Sequence, residues 1–514
     1  VAGLVTVTLG PAGLSAREVV AIAREGEPVE IDPGVLANLA SARAAIDAMS
    51  ASGAPVYGVS TGFGSLATTY IAADRRTDLQ RSLIRSHAAG YGPLVEAEVV
   101  RAMMACRLRT LCSGVTGVRP VTVRAYADLL NAHLVPVVHE YGSLGCSGDL
   151  APLAHVALAL MGEGEVLDAT GRHRDAAGAL AQAGLEPLVL AEKEGLALIN
   201  GTDGMLAMLL LALADLTTLL RAADVTAALS VQALMGTDRA FAADLQALRP
   251  HPGQRASAAN LAALMADSPI VASHATDTTQ VQDAYSLRCA PQVHGAARDT
   301  LEHARAVAEI ELVSRIDNPS VLADGRLESN GNFHGAPVGY VLDFLAIAAA
   351  DVASMAERRT DRLLDPARNH GLPAFLAEQP GVDSGLMIAQ YTQAGIVSEM
   401  KRLAAPASVD SIPTSAMQED HVSMGWHAAR QLRRSLEGLA GVLGVELLVA
   451  GRALALRAPL APSAPCGAVL EALAAAGLGP GPDRPLSPEL AAAAEMVASG
   501  RLAALVEPWI GPLA

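Results

Sequence analysis

Past residue 120 the apolar residues recur at three- and four-residue spacing, and that period predicts helices. Helices are expected over 121–133, 150–161, 205–235, 293–316, 336–364, 386–403 and 422–452. In the fourth of these, Leu301, Ala304, Ala308 and Leu312 share one face, while Arg298, Glu302, Arg305 and Glu309 take others. Residues 1–112 read differently. A short strand over 5–9, helices over 15–25 and 33–50, and a glycine-rich turn from Tyr57 to Gly64 are expected there. Polar stretches separate the later helices. The longest, 267–285, is rich in Ser, Thr, Asp and His, and 458–488 is Pro- and Gly-rich, reading as an irregular connection before one last helix. Strand–helix alternation is absent beyond the first part, which argues against a doubly wound sheet. The expected fold is mainly α, with a smaller mixed α/β N-terminal domain (1–112) and an elongated helical domain (113–514).

Composition narrows the function classes. The 514 residues carry 37 Lys and Arg against 53 Asp and Glu, a net charge of −16. A nucleic-acid binder needs a basic surface to displace counterions, so that class is set aside. Hydrophobic residues reach 51% but aromatics only 3%, so the apolar mass is mostly Ala, Leu and Val, suited to closely packed helices. The run 205–214 is interrupted by Asp215, Arg221 and Asp224. The run 436–456 contains Glu437, Glu446 and Arg452. Both read as buried bundle helices rather than membrane spans, which need ~20 uninterrupted apolar residues. The five cysteines form no CxxC pair, no basic-then-apolar leader opens the chain, and no metal-ligand spacing occurs. A reducing cytoplasm and a metal-free chemistry are expected.

Two generic motifs carry little. Gly58-Val59-Ser60-Thr61-Gly62 fits a hydrolase nucleophile elbow, but that motif needs a strand–turn–helix in an α/β sheet. Gly62 to Ala67 loosely fits a dinucleotide fingerprint and lacks the acidic residue ~20 positions on. The informative run is Gly142-Ser143-Leu144-Gly145-Cys146-Ser147-Gly148-Asp149-Leu150-Ala151-Pro152-Leu153. A tight turn there brings Gly148 N against the Cys146 carbonyl, where dehydration closes a five-membered ring. Loss of water from Ser147 then leaves an exocyclic methylene, a strong electrophile. Taken alone, the same residues also serve as a Ser-Gly turn capping a helix near Leu150, with Pro152 in its first turn; Asp149 reads equally as an aid to ring closure or as that helix's N-cap.

That run resembles the signature of the histidine/phenylalanine ammonia-lyase family. The resemblance extends in order through Tyr57–Gly64, Ser86-His87-Ala88-Ala89-Gly90, Ile199-Asn200-Gly201-Thr202, Val281–Arg288, Gly331-Asn332-Phe333-His334-Gly335 and Ser415–Met424. Two departures stand out: Cys146 where most members carry Ala, and Ser60 where Asn is usual. The resemblance implies a fumarase/aspartase-like helical fold and a homotetramer with shared active sites. It also implies the cofactor 4-methylidene-imidazol-5-one (MIO), formed from Cys146-Ser147-Gly148 with no dissociable cofactor.

The resemblance further implies roles for individual residues. Tyr285 would take the β-proton, activated by positive surroundings because its ordinary pKa is near ~10. Tyr57 would act as a second acid/base near the amine. Arg288 would hold the substrate carboxylate, Asn200 and Gln282 would orient the carboxylate and the MIO carbonyl, and Phe333 would pack beside the ring. Gln418-Glu419 resembles the histidine-specific branch, where a carboxylate accepts an imidazole N–H or the ammonium. His87 resembles that branch as well. Ser415-x-x-Gln418 also reads as a capping box ahead of a helix from 422. The implied reaction is elimination of ammonia from L-histidine to give trans-urocanate. A phenylalanine or tyrosine lyase, an aromatic aminomutase and a non-catalytic scaffold relative are the alternatives.

Overall fold

The computed structural model describes residues 5–51, 60–62, 68–276 and 281–514. Helix accounts for 61% of it and strand for 7%, so the fold is mainly α as expected. The major helices are Pro120–Asn131, Leu150–Leu160, Asp203–Ala233, Ala290–Val313, Ala336–Leu364, Met387–Leu403 and Gly425–Ala455. Each lies within a few residues of a predicted span.

The differences have local causes. The helix expected from 422 begins at Gly425, because Met424 sits at φ 52°, outside the right-handed region a helix requires. No capping box forms there: residues Ser415–Met417 make a 3₁₀ turn instead. The Pro/Gly-rich stretch 458–488 contains the helix Ala464–Ala475, whose Pro465 lies in the first turn, where proline is tolerated. Two helices, Ser487–Ala498 and Arg501–Ile510, follow in place of one. Strands are two to four residues long and pair in small ribbons, such as Val7–Leu9 parallel to Val29–Ile31.

The chain packs as two compact units. The first comprises Val1–Leu211, Arg305–Leu342 and Ala407–Arg430. Its central helix, Ala97–Cys112, is buried from Val99 onward, including the guanidinium-bearing Arg101, Arg107 and Arg109. Trp426 is also fully buried, its indole N–H donating to the Glu140 carbonyl at 2.7 Å.

The second unit comprises Ala212–Ala304, Asp343–Pro406 and Gln431–Ala514. Here Arg359 pairs with Glu446, both side chains wholly buried, and Glu446 also accepts from Thr226 Oγ1 and Ser230 Oγ at 2.8 and 2.7 Å. Asp224 accepts from Arg298, Ser257 and Asn260 at 2.6–2.8 Å and meets His294 Nδ1 at 2.8 Å. Burial alone would raise the Asp224 carboxyl, but Arg298 and His294 hold it well below the usual range. Three long helices (Glu194–Ala233, Ala336–Leu364 and Gly425–Ala455) are apolar enough by length and composition to cross a membrane. Each carries an ionic side chain — Asp224, Arg359 or Glu446 — engaged by protein partners, the arrangement of bundle helices.

Candidate active site

The glycine-rich run after Tyr141 cannot form a regular element. Gly142, Gly145, Ser147 and Gly148 all have positive φ, and Ser147 at 47° is there without the freedom of glycine. A Cβ on Gly148 would stand 2.2 Å from Gly201 N and 2.4 Å from Gly201 O, so only glycine fits. Gly145 is equally confined, by Ser423 Oγ and Gly425 N.

Hydrogen bonds from distant segments fix this loop. The Gly145 carbonyl accepts from Ser423 Oγ at 2.6 Å and from Gly335 N at 2.9 Å. Met424 N donates to Leu144 O at 2.9 Å, and Asp149 N to Gly201 O at 2.7 Å. The Asp149 carboxylate does not cap the helix it precedes, as the sequence suggested. Its Oδ2 instead accepts from Gly204 N and Met205 N at 2.9 and 3.0 Å, capping the Asp203–Ala233 helix, while Oδ1 accepts from Ser143 Oγ at 2.7 Å. Burial pushes this carboxyl up to about 7, against the pull of its three donors.

Glu419 meets the tripeptide directly. Its Oε1 accepts from Ser147 Oγ at 3.2 Å, and its Oε2 from Cys146 Sγ at 3.5 Å and Thr414 Oγ1 at 3.3 Å. Burial and the Glu419 charge push the Cys146 thiol up to about 12. His87 ends the Arg76–His87 helix half-buried. Its Nδ1 lies 3.0 Å from the Leu83 carbonyl, which can only accept, and 3.0 Å from Ser86 Oγ, which itself donates to Leu83 O at 2.9 Å, so the proton is assigned to Nδ1 and a lone pair to Nε2. Burial lowers the His87 pKa, while the Leu83 bond and the Glu419 charge pull it back up.

Asn200 is buried behind the loop. Its Nδ2 donates to Asn318 O at 2.8 Å, but its Oδ1 has no partner among the described residues. A buried amide oxygen without a donor is costly and points to a group the protein awaits. The left-handed Ser147-Gly148 turn fits a ring formed at the tripeptide; that ring carries no N–H, so Asn200 Oδ1 awaits a donor from elsewhere. Arg107 braces the segment through Asp203, Asn200 O, Ala197 O and Ile316 O. Beside it Lys193 Nζ donates to Asp317 at 2.5 Å with both side chains fully buried. Phe333 is half-buried two residues before Gly335. Gln418, expected among the binding residues, is exposed, its backbone N–H engaged by Ser415 O.

The first unit therefore brings Cys146, Ser147, Gly148, Glu419, His87 and Asn200 together. Gln282, Tyr285 and Arg288 belong to the second unit. There the Tyr285–Arg288 helix is held by Arg359, which donates to Ser286 O at 3.3 Å, and by Asp283, which accepts from Thr237 N at 2.8 Å. Tyr285 is 71% exposed, and the Arg288 guanidinium stands 4.7 Å over its ring. Tyr57 lies outside the described residues. Thr414, Ser143, Ser423 and Arg107 were not anticipated. Only Arg107 carried a signal, as one of three arginines in the otherwise largely apolar stretch 99–112.

The model of the aromatic amino acid lyases matches residues 14–475. The chain belongs to the aromatic amino acid lyase family. Among curated relatives of this family, the histidine ammonia-lyase of Streptomyces avermitilis is 61% identical over 99% of this chain and 100% of its own length. That of Sorangium cellulosum is 49% identical over 97% and 99%. Among solved structures, the tyrosine aminomutase of Streptomyces globisporus superposes with a TM-score of 0.93 at 35% identity, covering 99% of this chain and all of that one. The histidine ammonia-lyase of Trypanosoma cruzi gives 0.90 at 38%, covering 98% and 96%. Aromatic amino acid lyases depend in general on MIO.

Proposed function

We propose that this chain is a histidine ammonia-lyase that converts L-histidine to trans-urocanate and ammonia, with MIO formed from Cys146-Ser147-Gly148. The observation that carries the reading is the position of Glu419, hydrogen-bonded to Ser147 and electrostatically coupled to His87. An acidic acceptor on the reacting serine, with an imidazole within reach of its charge, suits a substrate rich in N–H donors and would be poorly satisfied by a phenyl ring. MIO supplies an electrophilic carbon that turns the amine into a competent leaving group.

The chain's own groups do the rest. Tyr285 Oη takes the β-proton, with the Arg288 guanidinium standing over its ring. Arg288 also pairs with the substrate carboxylate, and Gln282 orients it. Asn200 Oδ1 accepts from the amine side, and Phe333 covers the ring. Tyr57 exchanges a proton with the departing amine. Glu419 Oε1 and His87 Nε2 accept from the substrate imidazole and ammonium, with Gln418 at their edge.

A homotetramer with shared active sites completes the proposal. In the second unit Phe344 and Ile347 are about half exposed on one face of Ala336–Leu364, apolar surface suited to a second copy. A cytoplasmic location fits five free cysteines, four of them buried.

Ultraviolet absorbance with L-histidine, L-phenylalanine and L-tyrosine in parallel tests the reading. Urocanate from histidine alone is expected. Cinnamate or coumarate would move the chain to the phenylalanine or tyrosine lyases. A β-amino acid as product would move it to the aminomutases that its fold also resembles.

A further inference from the structure

The two oxygens of Glu419 are held differently. Oε2 accepts from Thr414 Oγ1 at 3.3 Å and from Cys146 Sγ at 3.5 Å, whereas Oε1 accepts from Ser147 Oγ at 3.2 Å. Thr414 grips the same residue through its backbone as well: Thr414 N donates to Glu419 O at 2.9 Å, and Glu419 N to Thr414 O at 3.3 Å.

Ring formation changes one oxygen and spares the other. Gly148 N bonds to the Cys146 carbonyl carbon, and that oxygen leaves as water with the protons of Gly148 N and Ser147 N. Ser147 then gives up its Oγ–H and its Cα proton as a second water. Oε1 thereby loses its donor, and Oε2 keeps both of its own. The carboxylate stays fixed, with a lone pair exposed beside the carbon that becomes reactive.

Resting on the proposed function, we infer that Cys146 and Thr414 are positioning residues that lock Glu419 through Oε2, so that loss of the Ser147 hydroxyl opens Oε1 to an N–H of L-histidine. Cys146 therefore has a side-chain task distinct from its backbone's part in the ring. Two donors share one acceptor atom, so each partly replaces the other when one is removed. The cost of losing both exceeds the product of the single costs.

The test is L-histidine binding by calorimetry to the Ser147→Ala protein, which has no hydroxyl on Oε1 and cannot turn over. Adding Cys146→Ala or Thr414→Val weakens binding about 3-fold each, and adding both weakens it about 30-fold, as for a carboxylate released from its hydrogen bonds. Thr414→Ser, which keeps the hydroxyl, restores the parent affinity. With Glu419→Gln also present, the pair costs nothing further. Parent-like binding by the double variant, or an undiminished loss in the Glu419→Gln background, overturns the inference. So does a Ser147→Ala parent that fails to bind histidine while the unaltered protein makes urocanate. Intact mass of Cys146→Ala, with serine retained, shows both waters lost. Retained waters would assign the thiol to ring closure and also overturn it. Absence of urocanate from the unaltered protein would instead refute the substrate reading.

Discussion

Asp149→Ala is the sharpest probe of how the reactive loop is held. The carboxylate is wholly buried and accepts from Gly204 N, Met205 N and Ser143 Oγ. Alanine leaves two N–H groups of the Asp203–Ala233 helix buried without acceptors, at about 1–3 kcal/mol each, or roughly 2–6 kcal/mol together. Asp149→Asn keeps the shape: its Oδ1 accepts from both N–H groups and its Nδ2 donates to Ser143 Oγ, so the cost is about 1 kcal/mol or less.

The amide mimics the protonated carboxyl, and that fixes the sign of the pH dependence. The folded pKa of Asp149 is raised to about 7 from 3.8. Its contribution to stability is fully present below the unfolded value and is lost as pH rises through the folded one. The asparagine variant therefore gains on the wild type as pH rises from 4 to 7. Urea midpoints at one protein concentration, measured across that range, read both effects. Intact mass of the same samples reports whether the tripeptide has lost its two waters, which the alanine variant is expected to do incompletely. An alanine variant as stable as the wild type would refute the capping argument. An asparagine variant whose advantage shrinks with pH would refute the assignment of the raised carboxyl.

Other expectations follow from single contacts. His155 Nε2 accepts from Gly90 N at 3.1 Å, and burial together with His139 lowers its pKa to about 4. Its contribution is present above 6.5 and lost as pH falls toward 4, so His155→Gln should flatten the acid-side decline in melting temperature; an unchanged slope would exclude it. Arg359→Met leaves Glu446 buried without its guanidinium and should cost about 3–5 kcal/mol in chemical denaturation. Adding Glu446→Leu should recover most of that, and failure to do so would point to the Ser286 contact instead. Ser147→Ala should fold with an unchanged melting temperature and lose nearly all urocanate production; wild-type turnover would remove the MIO reading. Glu419→Ala should lower kcat/KM for histidine at least ~100-fold, about 2.7 kcal/mol, and a few-fold effect would return Glu419 to a structural role.

The long helices were legible because their apolar positions repeat over many turns. Most of the ribbons were not, since strands of two to four residues carry no period to read; Val7–Leu9, inside the strand expected over 5–9, is the exception. Local rules also misassigned two features whose partners lie far along the chain. Asp149 looked like the cap of its own helix but caps one that starts at Asp203. Ser415 and Gln418 had capping-box spacing, yet Met424 at a left-handed φ delays the helix to Gly425. The tripeptide itself was recognisable from its glycines. The residues that hold its loop, Ser423 and Gly335, are ordinary types and gain meaning only from long-range contacts.

The unsatisfied groups at this site also say what the first unit selects and what it leaves to other residues. Glu419 Oε1 once Ser147 is dehydrated, His87 Nε2 and Asn200 Oδ1 are all acceptors. These three acceptors favour a ligand presenting N–H groups, and L-histidine brings an ammonium and an imidazole. The same acceptors are hostile to a carboxylate, which needs donors. The donor suited to that group on the proposed function is the Arg288 guanidinium, whose buried Nε has no hydrogen-bond partner among the described residues and which stands beside Tyr285 in the second unit. On the proposed function, amine and carboxylate recognition fall to separately built segments, so Arg288→Lys should raise KM for histidine while intact mass still shows both waters lost. Failure of ring formation in that variant would mean that the two functions are not separable.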